Sequence, residues 1–248
     1  MDIISLTIIV ALGFICGMYA SLVGGYAILT IPALIFFGMP PHEAITTIKF
    51  ASLALAIVGL AEFSRKKLVD YKTGFLLGIP AAIGSIIGAY VLIGTSALIV
   101  NKIIAFATIA ILLVIMVKKD IGLVKNNIKP TTFTWIAGAI LMFATGLYGG
   151  FYGAGFAIPI SYLLILFFGQ TFIECAGTRK IVSIMIILPA LIVLGLEGMI
   201  VYSVGIPLLI SSSVGGYIGA HYSTRIGNLW VKRMFFVVVL VMSLKLLF

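Results

Sequence analysis

The sequence predicts an all-α, polytopic membrane bundle made of two homologous repeats, and three observations carry that expectation. The 248-residue chain is 62% hydrophobic and 9% charged, with a mean hydropathy of +1.30. Soluble domains hold about 25% charged residues, so this chain must use lipid as its solvent. Its apolar stretches approach the roughly 20 residues of a bilayer-crossing helix and lack the alternating polarity of barrel strands. Third, a gapless shift of 131 positions lays Glu43 on Glu174, Thr47 on Thr178, Lys49 on Lys180, Ser52 on Ser183 and Tyr71 on Tyr202.

Apolar residues coincide by chance in such a chain, but a matched Glu and a matched Lys do not. Gly38, Gly74, Gly84 and Gly88 fall on Gly169, Gly205, Gly215 and Gly219 by the same shift. The expected organisation is a first repeat at 1–117, a basic cytoplasmic linker at 118–132, and a second repeat at 133–248. Asn126, Asn127 and Pro130 suit a loop in that linker.

Eight hydrophobic regions follow one another at 3–37, 45–63, 73–93, 98–117, 133–168, 175–194, 201–222 and 229–248. The first region lacks the basic front of a signal peptide, so it is expected to be retained. The first member of each repeat is too long for one crossing and is broken by glycine. Gly13, Gly17, Gly24 and Gly25 precede Pro32 in one copy; Gly146, Gly149, Gly150, Gly153 and Gly155 precede Pro159 in the other. Broken helices leave backbone groups that lipid cannot satisfy, so such breaks belong inside protein or beside a polar cavity. At matching positions of two repeats they point to a transport site.

Charge bears on whether each long segment crosses once or doubles back. With single crossings the loop cations split nine to four between the two faces; with hairpins they split eleven to two, leaving only Lys102 and Lys245 opposite. The second split satisfies the positive-inside rule better and makes the second repeat inverted. The long segments are then re-entrant hairpins or pairs of short crossings.

The most polar intramembrane stretches follow the glycine breaks: HEAITTIKFAS from His42 and IECAGTRKIVS from Ile173. Cations inside a membrane are costly and are kept for a partner or a pathway. Lys49, Arg179 and Lys180 could hold an oxyanion, with hydroxyls of Thr47, Thr178, Ser52 and Ser183 and backbone amides near Gly24, Gly25, Gly153 and Gly155 as donors. Glu43 and Glu174 are candidate carriers of a coupling proton.

Structural readings stand beside each of these. The lysine stems could snorkel to the interface, the glutamates could be first-turn acids favoured by the helix dipole, and Ser and Thr commonly bond to nearby helices. Close helix packing accounts for Gly84, Gly88, Gly215 and Gly219, and interfacial anchoring for Tyr71 and Tyr202. Tyr26, Tyr148 and Tyr152 beside the breaks could line a cavity or simply pack. His221, which replaces Tyr90 in the second copy, reads as an interfacial polar residue before a proton relay. Cys16 and Cys175 read as buried small residues rather than a disulfide or metal ligands. The basic residues are scattered among short loops, so no nucleic-acid partner is implied. No enzyme motif, metal cluster or cofactor motif is expected: Asp2, Asp70 and Asp120 lie at loops or the terminus, and there is no P-loop.

Together these features resemble the sulfite exporter TauE/SafE family, also described as the toluenesulfonate uptake permease family. The resemblance covers essentially the whole chain. It is carried by GMYASLVGGYAILTIPALIFFGMPPHEAITT, by GLYGGFYGAGFAIP followed by AGTRK, and by the small-residue segments IPAAIGSIIGAYV and LLISSSVGGYIGAHYS. It implies a multi-pass carrier in the cell membrane moving sulfite, sulfonates or sulfoacetate-like anions, coupled to protons. The expected function is a secondary-active anion transporter with lipid, a small anion and protons as partners; a homo-oligomer is compatible with it. A passive anion channel and a non-transport membrane assembly component are the alternatives.

Overall fold

A computed structural model describes residues 3–104 and 130–222, and the regular structure described is helical throughout. In chain order the helices are α1 (Ile3–Val23), α2 (Tyr26–Phe36), α3 (Pro41–Arg65), α4 (Tyr71–Ile93), α5 (Thr132–Phe151), α6 (Ala157–Phe168), α7 (Phe172–Leu196) and α8 (Tyr202–His221). Residues 97–104 are also helical. Helices α3, α4, α5, α7 and α8 are long and apolar enough to cross a membrane. Most of the expected linker and the last hydrophobic region lie outside the described residues.

Helices α2, α3 and α4 begin at residues 26, 41 and 71; α6, α7 and α8 begin at 157, 172 and 202, each 131 positions later. Local chemistry explains several starts. Asp70 caps α4 by accepting from the Thr73 amide at 3.1 Å, and Thr171 and Glu174 form a reciprocal capping box at the start of α7. Pro41 occupies the first turn of α3, where its missing amide costs nothing.

Four pairings hold the bundle together. Helix α1 lies along α8: Gly17 faces the Ser212 backbone, and Gly215 and Gly219 face the Phe14 and Met18 carbonyls. Helix α5 lies along α4 in the same manner, with Gly146 and Gly150 against the Ala81 and Ser85 carbonyls and Gly84 and Gly88 against Phe143 and Leu147. A Cβ at any of these would meet backbone, so the small residues are what permits the approach. The other two pairings join α3 to α8 and α4 to α7. Outward faces of α4 and α8 expose Phe75, Ile79 and Ile83, and Ile206, Ile210 and Val214, which suits lipid.

Helix directions follow from which residues meet. In α1 and α8, Gly13 meets Leu208 and Gly17 meets Ser212, so the two run parallel. In α3 and α8, Thr47 meets Val201 and Glu62 meets His221, so these also run parallel. The chain must return between α1 and α3, and the 11-residue α2 is the returning limb. Likewise α5 and α7 both run parallel to α4, where Gly84 faces Phe143 and Gly88 faces Leu147, and where Gly74 meets Ile181 and Gly78 meets Met185. Helix α6 is therefore the second returning limb. At the centre α3 and α7 cross antiparallel, with Gly59 against Lys180 and Phe63 against Gly177.

Candidate anion site

Each hairpin turns on glycines in the left-handed region: Gly24 (φ 85°) and Gly25 (φ 90°) between α1 and α2, Gly153 (φ 88°) and Gly155 (φ 80°) between α5 and α6. Side chains rarely adopt these angles, which is why the breaks are glycine. The two tips meet. A Cβ on Gly24 would collide with the Cβ of Ala157, and the Arg179 guanidinium carbon lies 3.6 Å from the same point.

A cavity of ≈ 60 Å³ lies at this meeting point. One water needs roughly 10–15 Å³, so the space is large enough for several waters or a small polyatomic solute. Its lining draws matched residues from both halves: Gly24 and Gly155, Gly25 and Phe156, Tyr26 and Ala157, Ser52 and Ser183, Ala56 and Ile187. Helices α2 and α6 both start here without a side-chain cap. Their first amides and the positive ends of their dipoles therefore face the cavity.

Arg179 and Lys180 complete the lining, and both are buried, at 2% and 5% exposure. Arg179 donates to the Ser161 hydroxyl at 2.7 Å, which fixes its guanidinium beside the Gly24 tip. No hydrogen bond or ion pair joins Lys180 to any described residue. An ammonium buried at a cavity wall costs free energy until an acceptor satisfies it.

Lys49, the residue matched to Lys180, is placed differently. Its ammonium donates to the Gly149 carbonyl at 2.6 Å and the Tyr152 carbonyl at 3.4 Å, and it stands 3.0 Å from where a Cβ on Gly153 would lie. It thus caps the carboxyl end of α5, behind the cavity wall.

Thr47, Thr178, Glu43 and Glu174 fall outside the cavity lining. Thr47 accepts from the Val201 amide and Thr178 from the Asp70 amide, each at 3.1 Å, so the repeated threonines fasten the start of a helix in the opposite half. Glu174 is engaged in its capping box, receiving the Thr171 amide at 3.0 Å, and Glu43 sits half-buried in the first turn of α3. Tyr26 lines the cavity, whereas Tyr148 ties the second tip by donating to the Ala154 carbonyl at 2.6 Å. The sequence reading missed Glu62, which is 5% exposed and bonded to His221 at 2.9 Å. Its signal was an acidic residue inside an apolar run, unmatched in the second copy.

Apolar outer helices around a cavity that two cations and two broken hairpins line define a multi-pass membrane protein. The chain belongs to the sulfite exporter TauE/SafE family, which it matches over residues 9–246. It is 25% identical over 243 residues to a probable membrane transporter protein of Haemophilus influenzae, covering 98% of this chain and 94% of that one. It is 25% identical over 236 residues to the probable membrane transporter protein YfcA of Escherichia coli K12, covering 94% and 86%. A third relative, the probable membrane transporter protein YunE of Bacillus subtilis, is 30% identical over 189 residues, or 66% of this chain and 69% of its own. No solved structure matches the chain.

Proposed function

We propose that this protein is a secondary-active transporter of a small sulfur-containing anion such as sulfite, binding it where the two hairpin tips meet. The observation that carries the reading is Lys180: buried, without a hydrogen-bond or ion-pair partner among the described residues, and lining a cavity beside Arg179, Ser52 and Ser183. The two cations supply charge, the serines supply directed hydroxyls, and the uncapped amides of α2 and α6 close the remaining acceptor positions on an oxyanion. The repeated threonines and Glu174 drop out of the anion shell, since their bonds serve the scaffold.

The two halves form an inverted pair in this proposal, with α1 to α4 related to α5 to α8. What supports it is the antiparallel crossing of the equivalent helices α3 and α7. An inverted pair supplies two conformations by exchanging the roles of its halves. The matched lysines then exchange as well: here Lys49 holds the end of α5 and Lys180 faces the cavity, and in the opposite-facing state Lys180 holds the end of α1 while Lys49 faces the anion.

The test is uptake of labelled sulfite or a sulfonate into proteoliposomes under an imposed pH gradient. Saturable uptake is expected. No transport of any small anion would sink the reading, and large single-channel currents would replace the carrier with a channel.

A further inference from the structure

Where α3 and α8 end together, Glu62 lies buried at 5% exposure and its Oε1 is 2.9 Å from His221 Nδ1. Arg65 approaches the other carboxylate oxygen at 3.6 Å but is mostly solvent-exposed. Lys66, one turn on, donates to the carbonyls of Ala220 at 2.8 Å and His221 at 2.7 Å. The His221 ring stacks on Tyr217 and meets the edge of Tyr222. Phe63 and Ala220 form an apolar floor together with Ala176 of α7, and Tyr19 of α1 packs on it. Among the described residues the charged groups at this contact are Glu62, Arg65, Lys66 and His221, and they fasten the first half to the second.

The same contact has no counterpart at the related ends of α4 and α7. The residues 131 positions away from Glu62, Lys66 and His221 are Val193, Glu197 and Tyr90. One end of the bundle therefore holds a buried acid paired to an imidazole, and the other holds a valine and a phenol. A carrier that couples its cargo to protons needs a titratable group whose protonation changes the contact between its moving halves. Glu62 is a buried carboxylate placed across such a contact, and the half-exposed His221 ring gives it a path to water.

We propose that Glu62 and His221 form the proton-binding site of the transport cycle, an assignment that rests on the carrier reading above. Water delivers a proton to Nε2 of His221 while Nδ1 passes its own proton to the Glu62 carboxylate, leaving a neutral imidazole and a neutral acid. The charge-assisted bond between α3 and α8 becomes a neutral one at that step, so this end is then held chiefly by the bonds of Lys66 and parts more readily.

The experiment compares wild type, Glu62→Gln and His221→Gln in proteoliposomes by two readouts: labelled sulfite exchange at equal pH on both sides, and sulfite accumulation driven by a pH gradient. Both variants are expected to keep exchange and lose gradient-driven accumulation. Accumulation equal to wild type in Glu62→Gln overturns the proposal, as does parallel loss of exchange and accumulation in a variant that still binds sulfite, which would make the pair structural. Failure of the anion site itself shows separately, as absence of exchange in the wild type, and removes the coupling assignment with it.

Discussion

Lys180 lies across Gly59: its Cε is 2.7 Å, and its ammonium 3.0 Å, from where a Cβ on Gly59 would stand. The glycine of α3 thus makes the groove through which the lysine of α7 reaches the cavity. The obstructing group is the flexible end of a side chain, so Gly59→Ala should displace the ammonium at little cost in stability. Sulfite affinity is expected to fall about tenfold, or 1.4 kcal/mol, by titration calorimetry. The melting temperature in detergent should hold or rise, since Ala gains up to about 1 kcal/mol over Gly in a helix. Unchanged affinity would remove Lys180 from the binding groups.

Lys49 and Lys180 match in sequence and differ in bonding, and that difference is testable. Lys49→Gln should leave equilibrium sulfite binding within about threefold, less than 1 kcal/mol, because Lys49 is engaged with Gly149 and Tyr152 in this conformation. Net transport by the same variant should be lost, because the opposite-facing state would lack its cation. Equal loss of binding in both lysine variants would mean that both face the anion at once.

The threonine pair separates scaffold from site. Thr47→Val leaves the Val201 amide without its acceptor, and Thr178→Val does the same to Asp70. Each should cost about 1–3 kcal/mol, the penalty for an unmet buried donor, and lower the melting temperature. Sulfite affinity of the folded protein should not change.

Glu174 provides the control for proton coupling. Its carboxylate receives the Thr171 amide and hydroxyl at 3.0 and 3.1 Å, which makes a capping box. Glu174→Ala should destabilise the protein by about 1 kcal/mol and leave pH-driven accumulation intact. Loss of accumulation there, with Glu62→Gln normal, would return the coupling role to the first-turn acids.

Much of this architecture could be read from residues alone, because repetition exposes what an apolar composition hides. Gly24, Gly25, Gly153 and Gly155, the serines at 52 and 183, and the adjacent cations Arg179 and Lys180 stand out in the sequence, and all line the cavity. Repetition is also ambiguous. Thr47 and Thr178 recur because both halves need the same clasp, and a matched position does not say whether it serves packing or ligand. A gapless shift starting after the first break also missed a change of register. Gly17-Met18-Tyr19 matches Gly146-Leu147-Tyr148 at 129 positions, so the second half has two extra residues before its tip. Glu62 and His221 were illegible as a pair for the opposite reason. They stand 159 residues apart and neither recurs, so only the fold brings them together.

The proposed site holds a small anion at the meeting tips on the ammonium of Lys180. Its most direct test is equilibrium binding of sulfite to purified wild type and Lys180→Gln at one pH and ionic strength. A loss of about 10- to 150-fold is expected, the worth of a charge-assisted hydrogen bond of roughly 1.5–3 kcal/mol. Equal affinity in the two proteins would contradict it.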